Sequence, residues 1–447
     1  PNLVGDSTAG NVSCHTNTPD YGVSTGSASG LTSIQRVPAV PARGLTNYIT
    51  SDYNTGWMNG DIKLATLSDT DTTNAVGTEL VTNGTFASNT TGWTAVSGSV
   101  AISSARLQLT GGGTSTTVAY AQQTFATTIG KAYTVSVDFI SISGGTNRYI
   151  YIGTSTSGAN RFNIVQTANA QVVVGTNTFT FVAQSTTSLI SLGTYEAQVA
   201  VWDNVTVRLA EPDRSVNNNG LQVFGTVTKT AVATGADLVG YSGFSSSNYL
   251  QQPYNSDLDF GTGDFCVMGW VKSTGSANQM FVDNRSSSDP SGFSVEQVQT
   301  SGVIRIRTKE SSNESYTNGS ISIATGTWNQ FVCVVSNNAT KQSIYINGKL
   351  DVSASVTARD VGTTSPLWVG IAGGYNAVPA LYSSLALLRI SATAPTAEQI
   401  AKMYRDEKPL FQENAQATLY GTSDAVTALA YDDDTELLHA GTSAGRS

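Results

Sequence analysis

The sequence predicts an all-β protein: two jelly-roll β-sandwiches in tandem, flanked at both ends by partial β-propeller-like meander strands, with one short α-helix near 396–405. Three observations predict this class. Short runs alternate apolar and polar residues, which is the period of a half-buried strand. Turn-forming Gly, Asn, Asp and Ser separate these runs, and 43 of the 447 residues are glycine. A single segment follows helical spacing instead.

The strand pattern is clearest in residues 133–139, 304–307 and 343–346. The last run leads into Asn347-Gly348, a pair that favours the positive backbone angles of a two-residue hairpin turn. Strands joined by such turns are typical of sandwiches and barrels rather than helix bundles.

The exception to the β pattern is residues 396–405, where apolar residues recur at helical spacing. Pro395 precedes the segment and is a common helix start signal. This segment is predicted to be the single clear α-helix.

Composition excludes several classes of function. The net charge is −9 and only 12% of residues are charged, so nothing favours a nucleic-acid partner through release of phosphate counterions. No uncharged apolar run approaches the ~18 residues that a membrane span needs. The two histidines and three cysteines leave little for a transition-metal site. The chain begins at Pro1, which we interpret as a fragment or a processed product.

The cysteines predict no disulfide framework, because Cys14, Cys266 and Cys333 are odd in number and widely spaced. Cys266 and Cys333 lie inside apolar runs, which favours buried free thiols. The alternative is a bridge between neighbouring strands.

The two ends share a weak internal repeat. Residues 12–30 and 426–445 each read as strand, acidic turn, strand and a Gly/Ser/Ala loop, as in a propeller blade. We therefore predict meander regions at 1–76 and 413–447. Two copies are fewer than a repeat architecture needs.

Residues 77–211 form the first predicted sandwich. It opens with Glu79-Leu-Val-Thr-Asn-Gly-Thr-Phe86 and Gly92-Trp93, and it closes with Trp202-Asp-Asn-Val205. These motifs resemble those of jelly-roll carbohydrate-binding modules. The resemblance implies a structural Ca²⁺ where the first strand meets the last, with Asp203 as a side-chain ligand and Asn83 and Glu79 as weaker candidates. Ala87 stands where the family often has an acidic residue, and the alternative for Asp203 is a turn cap.

Residues 212–235 are polar and turn-rich and are predicted to be a linker.

Residues 236–412 form the second predicted sandwich. Its apolar strands carry Trp270, Trp328 and Trp368, with the Asn-Gly hairpin between the last two. This order resembles the laminin-G-like, concanavalin-like sandwich, in which we expect these tryptophans to be core aromatics.

Both folds bind glycans through exposed aromatic rings and polar side chains. In the first sandwich Tyr149 and Tyr151 share one strand face, with Arg161 nearby in sequence. In the second, Arg305 and Arg307 alternate on a strand. These five residues are the candidate glycan-binding residues. The alternatives are that the tyrosines line the core and that the arginines form a solvated face.

We expect no catalysis. A glycan-cleaving enzyme needs two carboxylates about 5–10 Å apart, one of them with a raised pKa. The available pairs are Glu310 with Glu314, in a Ser/Asn-rich turn, and Asp257 with Asp259 at a strand entry. The E-x-D-x-x-E pattern of sandwich-fold glycanases is missing from the sequence.

Two further groups are interpreted as bystanders. They are the two histidines and an acidic run that reads as a hairpin turn, namely His15, His439 and residues 432–434.

The whole chain resembles bacteriophage tail-fibre or receptor-binding proteins of the marine type, on the succession of meander, glycan-module motif and laminin-G-like motif. The resemblance implies an extracellular virion protein, commonly a homotrimer, whose partners are host surface polysaccharide and other tail proteins. The leading hypothesis is a non-catalytic receptor-binding protein. The alternatives are a polysaccharide depolymerase with an intersubunit active site and a purely structural fibre or spacer.

Overall fold

A computed structural model describes residues 61–415, except for 113–117, 156–163, 169–170, 196, 216, 218, 276–277, 299–300, 324 and 374–380. Outside this range only strand bounds and pairings are assigned. His15, His439, Cys14 and Arg161 therefore lie outside the described residues, as do the side chains of residues 1–60 and 416–447, which include most of the predicted meander regions and the acidic run at 432–434.

The strands are β1 (Asn2–Asp6), β2 (Asn11–His15), β3 (Tyr21–Ser24), β4 (Ser33–Arg36), β5 (Thr46–Tyr48), β6 (Ile62–Thr66), β7 (Ala75–Gly77), β8 (Thr94–Val96), β9 (Gly98–Ile102), β10 (Leu107–Gly111), β11 (Val118–Ala126), β12 (Ala132–Ser143), β13 (Arg148–Gly153), β14 (Val165–Ala168), β15 (Gly175–Val182), β16 (Thr187–Tyr195), β17 (Val199–Glu211), β18 (Leu221–Ala231), β19 (Val239–Ser242), β20 (Tyr249–Gln252), β21 (Phe265–Lys272), β22 (Gln279–Asp283), β23 (Gly292–Gln297), β24 (Val303–Glu310), β25 (Asn313–Ser322), β26 (Trp328–Ser336), β27 (Lys341–Ile346), β28 (Lys349–Ser355), β29 (Leu367–Val369), β30 (Ser384–Ser391), β31 (Val426–Asp432), β32 (Leu437–Thr442) and β33 (Gly445–Arg446). Within the described residues the α-helix is α1 (Ala397–Glu407), and 3₁₀ turns span Ser256–Leu258 and Lys408–Phe411. The protein is nearly all-β, as predicted.

The first sandwich packs two antiparallel sheets face to face. One has the order β14-β13-β16-β11-β8, and the other runs β9-β10-β17-β12-β15. Alternate residues of both sheets fill the core between them, as the two-residue period requires. Trp202 is fully buried there, with its ring 4.9 Å from that of Phe139.

The second sandwich is built the same way from longer sheets. One follows β28-β27-β26-β21-β30, with β6 and β19 both pairing to β30. The other follows β25-β24-β23-β22-β29-β20-β18. Trp270 is buried, but on the outer side of its sheet, while Trp328 and Trp368 are half-buried. Of the three tryptophans expected in the core, only Trp270 is therefore buried, and it lies in a separate cluster outside the core between the sheets.

The hairpin and the helix form where the sequence predicts them. Asn347 and Gly348 have φ of 51° and 75°, which joins β27 to β28 by a tight turn. Thr396 caps α1 in a capping box with Gln399, which satisfies backbone groups at the helix start. The buried face of the helix covers the outer side of β21 and β26.

The structure differs from the predicted boundaries at two places. Residues 221–231, predicted to lie in a linker, form β18, which pairs with β17 of the first sandwich and with β19 and β20 of the second. The strands at 62–66 and 75–77, predicted to belong to the N-terminal meander region, pair with β30 and β18. Both differences arise because strands far apart in sequence supply the pairing partners.

In the described part of the chain, no helix is long and apolar enough to cross a membrane.

Candidate binding surfaces of the two sandwiches

Tyr149 and Tyr151 lie on the outer face of the first sandwich. Both are on β13, where the alternating residues Ile150 and Ile152 point into the core. The tyrosines form a separate cluster with Tyr120 of β11 and are only 7% and 5% exposed. They are thus neither core residues nor an open stacking platform.

Ring contacts hold the tyrosine cluster together, and a glycine beneath it leaves room for one of the rings. The ring of Tyr149 lies 5.5 Å from that of Tyr151 and 5.7 Å from that of Tyr195. Gly193 leaves the room that Tyr120 needs, because a Cβ there would stand 3.0 Å from the Tyr120 ring. Burial, followed by the hydrogen bond and charge of Tyr195, raises the pKa of Tyr149, so its hydroxyl stays protonated.

The second sandwich carries a continuous row of side chains across one sheet face. Successive cross-strand partners are Trp368, Asp283, Ser294, Arg307 and Tyr316, on β29, β22, β23, β24 and β25. Cross-strand partners share a face, so the row has polar side chains in the middle and an aromatic residue at each end. Four strand spacings of about 4.8 Å place those aromatics about 19 Å apart.

Arg305, Arg307 and Tyr316 form the open end of this row, which we call the arginine–tyrosine platform. Tyr316 is 54% exposed, and both guanidinium carbons lie near its ring, at 5.4 and 5.5 Å from the centroid. The structure therefore brings together the two arginines that the sequence proposes and adds a tyrosine that the sequence analysis missed. The sequence of β25 has no polar–apolar alternation that would place Tyr316 outward, and the one available signal is that Tyr316 is the single aromatic residue of this polar strand.

A buried and a half-buried carboxylate fix the two arginines of the platform. Glu296 is almost fully buried and accepts from Arg305 Nη1 at 3.1 Å and Arg307 Nε at 2.7 Å. Glu314 accepts from Arg307 Nη1 at 2.7 Å. Since each guanidinium is held by fixed partners, the platform is pre-organised and loses little entropy on binding.

The other end of the row is closed. Asp283 and Arg285 are fully buried and paired, with Arg285 Nε 2.8 Å from Asp283 Oδ1. Burial raises the pKa of Asp283, against the lowering effect of the Arg285 charge. Gly373 donates its N–H to Asp283 at 3.1 Å and lies against the indole of Trp368. Ligand access is therefore greatest at Tyr316.

The three residues proposed to hold calcium each bond to other groups of the protein. Glu79 accepts three backbone N–H groups through Oε1, from Leu80, Val81 and Val207, and burial raises its pKa. Asn83 donates to the carbonyl of Asn89 at 2.6 Å.

Asp203, the third proposed ligand, accepts from the N–H of Asn204 and lies 3.6 Å from Arg106. None of the three shares a partner with another, and the described residues contain no cluster of three acidic, histidine or cysteine side chains. Calcium takes six to eight oxygens, which here would have to include backbone carbonyls, and the calcium site stays a prediction.

Three of the four acids considered for catalysis are exposed or are bonded to other side chains. Glu310 is exposed at the hairpin between β24 and β25, whereas Glu314 pairs with Arg307. Asp257 accepts from the side chain of Asn219 at 3.0 Å, within a 3₁₀ turn.

One comparison with known proteins concerns the second sandwich. A model of the concanavalin A-like lectin/glucanases superfamily matches residues 244–401. These residues form a concanavalin-like sandwich domain. None of the curated proteins matches the chain in sequence.

Several solved structures are similar to part of the chain. The binding domain of Paraclostridial Mosquitocidal Protein 1 has a TM-score of 0.37 and 18% identity, covering 43% of this chain and 48% of that one. The receptor-binding domain of botulinum neurotoxin C/D mosaic serotype has a TM-score of 0.35 and 16% identity, covering 44% and 48%. A SAP-like pentraxin from Limulus polyphemus has a TM-score of 0.28 and 17% identity, covering 31% and 68%. The chain spans about half the length of the first two.

Proposed function

We propose that this protein is a non-catalytic glycan-binding protein and that the arginine–tyrosine platform binds sugar. The observation that carries the proposal is Tyr316, an aromatic ring more than half exposed between two guanidinium groups. A ring of this kind stacks on the apolar face of a sugar, and the free N–H groups beside it donate to hydroxyls. The fold supports the proposal, because the matching superfamily includes lectins.

A glycan array probed with the intact chain tests the proposal. Tyr316→Ala is expected to weaken binding about three- to tenfold, since a single aromatic contact contributes roughly 0.5–1.5 kcal/mol. Leu350→Ala is the matched control, because Leu350 is 53% exposed on β28 and lies outside the platform. An array on which the wild-type chain recognises no glycan rejects the proposal.

We further propose that the protein acts in a virion tail fibre, as a homotrimer that binds host surface polysaccharide outside the cell. The support is the succession of domains in the sequence. Several weak platforms in one fibre would act together and raise the avidity for a cell surface. Light scattering of the purified chain should give three times the monomer mass, and free host polysaccharide should compete with its binding to cells. A monomer that ignores host cells contradicts this assignment.

A further inference from the structure

A cleft opens on the concanavalin-like sandwich, on the sheet that does not carry the arginine–tyrosine platform. It has a volume of about 420 Å³ and is lined by β18, β19, β21, β26 and β30. Ligand sites in proteins commonly have volumes of about 300–1,000 Å³. We call it the Trp328 cleft, after the aromatic residue in its wall.

The indole of Trp328 is fixed in place. Its Nε1 donates to the carbonyl of Val232 at 2.9 Å, and the ring of Phe411 lies 5.0 Å away. Gly240 lies directly under the ring, since a Cβ there would stand 2.7 Å from Trp328 Cζ2. The cleft therefore has a rigid aromatic wall. Because Trp328 Nε1 already donates to Val232, the indole can offer a ligand only apolar contact.

Unused hydroxyl groups surround this wall. Thr230 and Thr325 are exposed and Ser384 is half-buried, and within the described part of the chain their hydroxyls make no hydrogen bond. Thr274 also lines the cleft and contacts the carbonyl of Tyr382, whose side chain is 59% exposed. Free hydroxyls beside an aromatic ring suit a ligand that carries many hydroxyls.

Lys272 adds a positive charge to the cleft. It is the cross-strand partner of both Trp328 and Ser384, so the three side chains share one face. Among the described residues no carboxylate pairs with Lys272, whereas Lys63, Lys131 and Lys402 each have an acidic partner. The ammonium group of Lys272 is therefore available to pair with an anionic ligand in the cleft.

We propose that the Trp328 cleft binds an anionic sugar residue, with Lys272 pairing to its carboxylate or sulfate group. The indole would contact the apolar face of the sugar ring, and the free hydroxyls would bond to its hydroxyls. This proposal rests on the proposed glycan-binding function and narrows the class of glycan to acidic polysaccharide. The carboxylate of a uronic acid and the sulfate of a sulfated sugar offer the same chemistry, and the experiment separates them.

Calorimetry with the full chain tests the proposal. The probes are a tetragalacturonate, its neutral methyl ester, and a sulfated galactose tetrasaccharide. The wild type should bind at least one acidic probe about tenfold more tightly than the ester, and the acidic probe that binds identifies the anion. The preference should fall as salt is added, because a partly exposed ion pair is screened.

Lys272→Gln should remove this preference, and Lys272→Arg should keep most of it. Lys349→Gln is the matched control for charge, since Lys349 is exposed on β28 and has no ion pair within the described residues. Thermal unfolding should be nearly unchanged in all three variants, because no ion pair is lost.

The outcomes separate this proposal from the proposed function. Equal binding of acidic and neutral probes by the wild type, or full retention of the preference by Lys272→Gln, overturns the cleft proposal while the Tyr316→Ala result stands. Loss of array binding in Lys272→Gln but not in Tyr316→Ala overturns the platform and supports the cleft. If the wild type binds no probe, the cleft proposal is rejected as well.

Discussion

The guanidinium carbon of Arg208 lies 4.1 Å from the centre of the Phe224 ring, so a residue of the first sandwich rests flat on a residue of β18 at the junction with the second. Phe224 in turn stacks on Tyr249, with ring centroids 4.5 Å apart and planes inclined by 8°. On its other side, Arg208 Nε lies 3.2 Å from Glu79 Oε2. The two sandwiches are joined by this stack as well as by the pairing of β17 with β18.

Arg208→Ala is expected to lower the free energy of unfolding by about 2 kcal/mol, because it removes a partly desolvated cation–π contact and an ion pair. Arg208→Lys should recover only part of the loss, since an ammonium group cannot lie flat on the ring. Urea unfolding measures both changes.

The control for this prediction is Arg106→Ala. Arg106 pairs with Asp203 at 3.6 Å on the surface of the first sandwich, and its side chain is 44% exposed. Such a pair contributes about 0.5 kcal/mol or less. Equal losses in the two alanine variants would contradict a special role for the stack.

A second junction element gives a dependence of stability on pH. Lys229 Nζ lies 2.6 Å from Asp69 Oδ2 and 3.7 Å from Glu211 Oε2. Burial alone would raise the pKa of Asp69, but the charge and hydrogen bond of Lys229 outweigh it and the pKa falls below 3.8. Burial alone would lower the pKa of Lys229, but Glu211 and Asp69 outweigh it and the pKa rises above 10.5.

The Lys229–Asp69 pair therefore stabilises the protein fully between pH 3.8 and pH 10.5. The contribution of Asp69 is present above pH 3.8 and is lost as the pH falls through its lower folded value. The contribution of Lys229 is present below pH 10.5 and is lost as the pH rises through its higher folded value.

Asp69→Asn is expected to cost about 1–2 kcal/mol at pH 7 and progressively less as the pH falls towards 3. Unfolding free energies measured over this range test the prediction. Asp61→Asn serves as the control, because Asp61 forms an exposed pair with Lys63. A cost for Asp69→Asn that does not change with pH would contradict the assignment.

The local parts of the fold could be predicted from the sequence. The Asn347-Gly348 turn and the start of α1 depend on residues adjacent in the chain, and both form as expected. The sequence predicts a linker where β18 forms, because the polar, turn-rich residues just before the strand dominate the local pattern. Its partner β7 lies far from it in sequence, and its partner β20 belongs to the second sandwich. Long-range pairing of this kind leaves no local signal.

The candidate sites were predictable to a similar extent. Strand alternation placed Arg305 and Arg307 on one face, but it could not show that Glu296 and Tyr316 come from neighbouring strands of the same sheet. Alternation also placed Tyr149 and Tyr151 on one face. Alternation could not show that Tyr120, from another strand, packs against both tyrosines and buries them.

The motif that opens the first sandwich contains a glycine with a steric role. Gly84 accepts a hydrogen bond from the N–H of Val205 at 2.9 Å, and a Cβ on Gly84 would stand 1.9 Å from the Val205 carbonyl oxygen. Backbone atoms cannot move aside as a flexible side chain can. Gly84→Ala should therefore destabilise the protein by about 3 kcal/mol, near the upper end of the cost of overpacking.

Gly112→Ala is the matched control for Gly84→Ala. A Cβ on Gly112 would make its nearest contact at 3.5 Å, so the substitution should change the stability by less than about 1 kcal/mol. Thermal unfolding of the two variants tests this contrast, and equal shifts of the midpoint would contradict it.

The two described cysteines lie on neighbouring strands but on opposite faces of one sheet. Cys266 is paired in register with Val334, and Cys333 with Val267. Cys266 packs beneath α1, whereas Cys333 lies in the core between the sheets. Both are buried free thiols, as the sequence predicts, and the alternating strand geometry keeps their sulfur atoms from bridging.

These two thiols are expected to be inert in the folded protein. Burial raises the pKa of both thiols, so the reactive thiolate is scarce and reagents cannot reach it. Iodoacetamide at pH 8 should leave Cys266 and Cys333 unmodified in the native chain and should alkylate both in guanidinium chloride. Peptide mass spectrometry distinguishes the two states. Native alkylation at the rate of a free thiol, or a cross-linked peptide containing both residues, would show that the register of β21 against β26 is different from the one described.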